Sequence, residues 1–361
     1  MTRTFPAPLR NRRRGPKRIA VAIAAVATAV ALVGCSATAG SSAKPNIVVS
    51  YWQQTTPLPE TILATQPSLQ ATIPATLSFR SIESGPAALA ALSSGSLGIV
   101  GGVGNPPVVT AIAKNTKMKI IWAQYYDFAG LSVNNSITSP AAMAGKTFGT
   151  QIGSSQDFSF HGWLKQHGLE SKVKLVDMQP NAMLAAYKTG AIAGGWVSEP
   201  FASLMAADSG HSVTTSAAMV SSGYPGVNAI VANADLIKQN PKAVQAYVCA
   251  ISHAADMTRA SGSTAVLNKA GAYAGGKANS SDVIGLGGTW PYWPLSEQLG
   301  SKGLGSAANP GSGLYAQVLY KTGEYLKAAG TLTAPPTMAK ISAAIDPTFA
   351  KAVVDGKCTS N

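Results

Sequence analysis

Residues 88–95 read ALAALSSG and residues 183–190 read MLAAYKTG. Each stretch is followed by a short apolar run, then by a residue, a proline and a new helical segment: Asn105-Pro106 in one case, Glu199-Pro200 in the other. Alanine-rich helix–glycine–strand units are common, so a single echo says little. This one falls once in each half of a chain whose apolar residues alternate between strand and helix periods, the sign of an α/β fold. The echo therefore predicts two similar lobes.

Working outward from the first copy, Asn46–Trp52 (NIVVSYW) reads as a strand, residues 59–69 as a helix and Thr76–Ile82 (TLSFRSI) as a strand. Ser84-Gly85-Pro86 opens the helix that carries the echo, with Ser84 as its N-cap and Pro86 in the first turn. Residues 97–102, 118–126 and 130–133 are the next strands. Around the second copy, strands are expected at 147–151, 173–178 and 192–197, with helices at 154–167 and 181–189. Residues 228–231 read as a strand returning to the first block, and the remainder is mostly helical. The division that follows is 45–127 for the first part of lobe 1, 128–228 for lobe 2 and 229–361 for the second part of lobe 1.

The first 34 residues read as an address. Seven Arg or Lys and no acid precede Cys35, and the uncharged run 19–33 is shorter than the ~20 residues a spanning helix needs. The run ends in Leu32-Val33-Gly34-Cys35, which resembles a bacterial lipobox, so Cys35 is the expected lipidation site and residues 1–34 the signal peptide. Arg12-Arg13 faintly resembles a twin-arginine signal, but Gly15-Pro16 stands where bulky apolar residues belong, which favours the general secretory route. Residues 35–44 form a Ser/Ala/Gly/Thr tether. The location implied is extracytoplasmic, held at the cell membrane by a lipid.

The formal charge of +13 overstates the exported chain, because seven of the 28 basic residues lie in the leader, leaving 21 against 15 acids. These charges are scattered, with no nucleic-acid footprint. Cys249 and Cys358 are an even pair in an oxidising setting, which suggests a disulfide tying the C-terminal tail to a helix; a buried free thiol at 249 is the alternative.

Six motifs in order now carry a resemblance. They are the opening strand 46–51, Glu83-Ser84-Gly85 with 88–95, Leu97–Pro107 (LGIVGGVGNPP), Ala144–Gly149 (AGKTFG), Val176–Ala182 (VDMQPNA) with 188–200, and Asn240–Val244 (NPKAV). Together they resemble the binding-protein family for taurine, aliphatic sulfonates, nitrate and thiamine-pyrimidine precursors, taurine-binding members being the nearest likeness. The resemblance spans roughly residues 46–345. It implies a two-lobed type II periplasmic-binding-protein fold with two crossovers, a solute in the cleft, ABC permease subunits as partners, and a monomer.

Ligands of open α/β sheets sit at the carboxyl ends of strands, where helix N-termini point unpaired N–H groups and partial positive charge. On that rule Ser84, Gly85, Gly104, Asn105, Ser154 and Ser155 are candidates for an anion cradle, against the plainer reading of ordinary caps. Asp127, Asp157 and Glu199 stand on expected cleft loops and suit a ligand ammonium; helix-dipole compensation is the alternative for Asp157 and Glu199. Trp52, Tyr125, Tyr126 and Trp196 end strands and suit an apolar wall or a stacked cation, against core packing. The resemblance adds Gln53 after the first strand, and Asn228 lies at the second crossover. Catalysis finds little support: His161, His167, His211 and His253 have no metal-ligand spacing, and no nucleophile elbow or phosphate loop appears. No cofactor or metal is expected. The solute the resemblance implies is a small organic sulfonate such as taurine, with a nitrogenous ring compound, a quaternary amine or nitrate as the alternative; the remaining rivals are an enzyme on the same fold and a lipoprotein with an envelope partner instead of a solute.

Overall fold

The structure, a computed structural model, describes residues 44–53, 58–260, 262–275 and 292–358. The leader, Cys35 and the tether up to residue 43 lie outside the described residues.

The chain begins with strand β1 (Asn46–Trp52), helices α1 (Pro59–Thr65) and α2 (Pro67–Ala71), and strand β2 (Thr76–Ile82). The single helix expected over 59–69 is thus two. Pro67 has no N–H and clashes with a helical residue before it, so Gln66 is extended at φ −117°, ψ 91°. Then come α3 (Gly85–Ser93), β3 (Ile99–Gly104), α4 (Asn105–Ala113) and β4 (Met118–Tyr126). The second block is β5 (Ala129–Asn134), β6 (Thr147–Thr150), α5 (Ser155–Gln166), β7 (Lys174–Asp177), α6 (Pro180–Lys188), β8 (Gly194–Ser198), α7 (Phe201–Ser209) and β9 (Gly210–Thr215). Strand β10 (Val227–Asn233) is followed by α8 (Ala234–Gln239), α9 (Pro241–Arg259), α10 (Thr264–Tyr273) and the helices Leu314–Ala328, Met338–Ala344 and Thr348–Val354.

Two five-stranded sheets result, ordered β2-β1-β3-β10-β4 and β7-β6-β8-β5-β9. In the first, β1 is parallel to β2 and β3, and β10 runs antiparallel to β3 and β4. In the second, β6 is parallel to β7 and β8, and β5 runs antiparallel to β8 and β9. The orders coincide when β1 is matched with β6, β2 with β7, β3 with β8 and β4 with β9. Each sheet takes its antiparallel fourth member, β10 or β5, from beyond a crossing between sheets. The two copies of the sequence echo lie on α3 and α6, which join equivalent strands. Strand β9 has no apolar signature, reading GHSVTT, because it is an edge strand held by β5 and mostly exposed.

Each sheet has its own core. Val49, Ile99, Val103, Ile120 and Val231 of the first sheet pack with Val244, Tyr247 and Leu319 of the following helices, all essentially inaccessible. Leu131, Phe148 and Trp196 of the second pack with Phe160 and Leu164 of α5. Cys249 and Cys358 are joined by a disulfide with a Cα–Cα distance of 5.6 Å, fixing the tail to α9.

Candidate functional site

The carboxyl ends of the parallel strands in both sheets open on one cavity of about 650 Å³. From the first sheet come Trp52 and Gln53 at the end of β1, Glu83, Ser84 and Gly85 after β2, Gly102 and Gly104 of β3, and Tyr125, Asp127 and Phe128 at the end of β4. From the second come Gln151–Gln156 after β6, Asp177, Gln179 and Asn181 at the end of β7, and Ser198, Glu199 and Phe201 at the end of β8. Asn228 enters from the start of β10.

Donors at this cavity are mainly backbone. Helix starts α3, α4, α5, α6 and α7 all border it, but Pro86, Pro106, Pro107 and Pro180 remove N–H groups from three of them. The start of α5 keeps its donors. Ser154 caps the Asp157 N–H at 3.2 Å, leaving the N–H groups of Ser155 and Gln156 at a positive helix end. Gly153, at φ +80°, allows the tight approach of this loop.

Acceptors are carboxylates. Asp127 is 8 % exposed; Asn228 Nδ2 donates to its Oδ1, and Oδ2 has no hydrogen bond among the described residues. Burial pushes its carboxyl up, with the nearby Ser155 hydroxyl and the Asn228 amide offsetting part of the effect. A side chain on Gly226 would overlap Asp127 Oδ2, so the returning segment before β10 leaves room for that oxygen. Glu199 accepts the Ser203 N–H at 3.0 Å through Oε2, capping α7 while bordering the cavity. Asp177 accepts the Ile152 N–H at 3.0 Å, and Glu83 is exposed. No Lys, Arg or His stands among the described residues that line the cavity.

Trp52, Tyr125 and Phe128 form an apolar wall. Trp52 Nε1 donates to the carbonyls of Gly101 (3.1 Å) and Gly102 (2.8 Å), which aims its ring along the cavity. Tyr125 and Phe128 meet edge to face at 5.1 Å.

Of the candidates read from sequence, Trp52, Gln53, Ser84, Gly85, Gly104, Tyr125, Asp127, Ser154, Ser155, Glu199 and Asn228 line the cavity together. Four do not. Asn105 is fully buried, its Nδ2 donating to Thr322 Oγ1 at 2.6 Å and its Oδ1 accepting the Val227 N–H at 3.3 Å. Asp157 accepts from Tyr325 (2.5 Å) and from the Gly153 N–H (2.9 Å), which ties α5 to the helix Leu314–Ala328. Tyr126 stacks on Trp293 at 4.6 Å, because successive side chains on β4 face opposite ways and Tyr125 takes the cavity side. Trp196 is wholly buried, tilted against Phe160 and donating to Ser216 Oγ at 3.4 Å. The residues the sequence reading passed over, Glu83, Gly102, Phe128, Gln151, Asp177, Gln179 and Asn181, sit mostly at strand ends. Asp177 ends β7 and Glu83 directly follows β2, so an acid at the close of each equivalent strand was a usable signal.

The described residues hold no cluster of three metal-binding side chains, and none of their helices is long and apolar enough to cross a membrane. A profile of the NMT1-like family matches residues 41–270. The Escherichia coli (strain K12) taurine-binding periplasmic protein is 26% identical over 205 residues, 56% of this chain. The match spans 63% of that relative's length. The structure of the periplasmic aliphatic sulphonate binding protein SsuA from Escherichia coli superposes with a TM-score of 0.65 at 16% identity, covering 82% of this chain and 91% of that one. That of the desulfurization enzyme DSZB superposes with a TM-score of 0.56 at 14% identity, covering 87% and 100%. At such identities the superpositions speak for the fold, which serves both binding and catalysis.

Proposed function

The chain belongs to the NMT1-like family, and from that premise we propose that it is the extracytoplasmic solute-binding component of an ATP-driven importer, taking a small amino-sulfonate such as taurine. The observation that carries this reading is the pairing, within one cavity between two sheets, of the free N–H groups at the start of α5 with the buried carboxylate of Asp127. The first suits sulfonate oxygens, and the second suits an ammonium. The likeness to a taurine-binding protein supports the same class of solute.

The mechanism we infer is closure. Solute touching strand ends of both sheets stabilises the shut form over the open one, and the shut form is what the permease subunits receive. A lipid on Cys35 would keep the protein beside that permease. The lobe boundaries expected at 127–128 and 228–229 belong to this proposal; the chain leaves the first sheet between β4 and β5, and returns between β9 and β10, so the second boundary moves to before Val227.

A second reading is favoured by one observation: four acids and an aromatic wall, with no cation among the described lining residues. That set suits a quaternary amine or a nitrogenous ring carrying positive charge and no sulfonate. Binding is preferred to catalysis because Cys249 and Cys358 are bonded to each other and His161, His167, His211 and His253 do not line the cavity.

Thermal-shift screening of residues 36–361 against taurine, alkanesulfonates, nitrate, betaine and pyrimidines separates these readings. Taurine at ~100-fold excess over its Kd is expected to contribute about 3 kcal/mol, roughly 5 °C or more in Tm. If every sulfonate fails and betaine or a pyrimidine raises Tm, the amino-sulfonate reading is lost and the second stands. If no small solute acts, a lipoprotein serving an envelope partner becomes the better account.

A further inference from the structure

Beneath the cavity lies a carboxylic acid that the reading above does not use. Glu60 on α1 is 1 % exposed. Its Oε1 accepts from Gln124 Nε2 at 2.6 Å, and Gln124 Oε1 accepts the Gly102 N–H at 2.7 Å. The Gly102 carbonyl accepts from Trp52 Nε1 at 2.8 Å and from the Tyr125 hydroxyl at 3.4 Å. Gly102, Trp52 and Tyr125 all line the cavity. The carboxyl also packs flat on Gly101, where any side chain would overlap it. Gly102 has φ +62°, and a Cβ there would stand 2.5 Å from the Tyr125 hydroxyl oxygen and 2.9 Å from Trp52 Nε1. One acid, one amide and two glycines thus build the floor on which the aromatic wall stands.

We propose that Glu60 is a positioning residue for the cleft: its carboxyl, acting through Gln124, holds the Gly101–Gly102 backbone, so that a change at that carboxyl is passed to Trp52 and Tyr125 and alters solute binding.

The surroundings favour the neutral form. Glu60 Oε2 has no hydrogen-bond partner among the described residues. The titratable groups facing it are hydroxyls: Tyr125 from β4, Tyr247 from α9, and Tyr292, all raised by burial and by its own charge. Asp127 lies beyond Tyr125 and adds only negative charge. On α9, Arg259 sits 5.2 Å from the far ring of Tyr292, with Asp256 at 3.8 Å; both are exposed, as is His253. Lys269 and Tyr273 of α10 are exposed too, and α2 and β1 bring no ionised group to it. Burial pushes the Glu60 carboxyl up to about 7, with the Gln124 hydrogen bond and a backbone one opposing. Protonated below that value and charged above it, the group changes state within the range where the protein is handled.

The test uses the Trp52 indole N–H, whose ¹H–¹⁵N resonance is assigned by Trp52→Phe. In the solute-free protein it should move through one transition between about pH 6 and 8, absent in Glu60→Gln and in Gln124→Met, which cuts the link and keeps the acid. Taurine affinity should change across the same transition, with Glu60→Gln and Gln124→Met level throughout. A flat indole signal in the wild type, or the same transition in both variants, overturns the proposal. Only the taurine arm rests on the solute reading. No taurine binding at any pH with the indole transition present counts against taurine and for the Glu60 proposal.

Discussion

The Cys249–Cys358 bond closes a loop of 109 residues, long enough to make its removal the largest single-site effect expected outside the cores. A cross-link acts chiefly by denying the unfolded chain its open conformations. For a loop of this length the chain-entropy relation gives about 5 kcal/mol at 25 °C. Native contacts around the bond should survive its loss, because α9 and the tail also meet through Gln245 Nε2 and the Phe349 carbonyl at 3.2 Å. The change therefore falls on the unfolded state. Cys358→Ser should lower the urea midpoint and raise m, since the uncrosslinked chain exposes more surface on unfolding. Against a typical total of roughly 5–15 kcal/mol, a loss near 5 corresponds to a Tm lower by ~7–10 °C. Neither cysteine borders the cavity, so solute affinity of the folded variant should be unchanged. Equilibrium urea unfolding of the wild type, the wild type under reductant and the variant is the assay. A loss under about 1 kcal/mol, or an unchanged m, would refute the reasoning, because either requires an unfolded chain already closed without the bond.

Three further substitutions have expected outcomes. Asp127→Asn should raise Tm of the solute-free protein, because burial penalises the native carboxylate; the gain should be full at pH above its raised native pKa and vanish below the unfolded one. The same change should cost at least ~100-fold in affinity for an ammonium-bearing solute, read by calorimetry. Gly162→Ala should lose ~1–3 kcal/mol in urea unfolding, since its new methyl overlaps the Tyr224 ring. Gly102→Ala should weaken binding while leaving the unfolding free energy from urea within ~2 kcal/mol of wild type, because it disturbs Trp52 and Tyr125 and forces a left-handed backbone.

The fold was legible because its repeat left a trace in one place where composition is constrained on both lobes. Helices α3 and α6 each join two parallel strands across a sheet, so each needs small residues on the packed face and a terminal residue at positive φ. Gly95 at +78° and Gly190 at +74° supply the latter. Strand β9 and the break between α1 and α2 were not legible in the same way. An edge strand needs no apolar alternation when its neighbour supplies the ladder, and a proline one residue past a helix end reads equally as a kink or a stop.

For the cavity, the rule of strand ends located the loops but could not say which way each side chain turned. Asn105, Asp157, Tyr126 and Trp196 all stand where the rule points. What takes each one away is a partner distant in sequence: Thr322 for Asn105, Tyr325 for Asp157, Trp293 for Tyr126 and Ser216 for Trp196. Asn105 and Asp127 show why such partners decide. Both are polar, both are buried, and both meet the segment around residues 226–228. Asn105 has its amide and carbonyl both engaged, so it can offer nothing to a solute without breaking α4 from the helix behind it. Asp127, which borders the cavity, keeps one buried oxygen beside Gly226 without a hydrogen bond among the described residues, at the cost its raised pKa records. A buried acceptor left unsatisfied in the empty protein is a stability defect until something fills it. That is the difference between a residue that holds a cleft together and one that waits for what enters it.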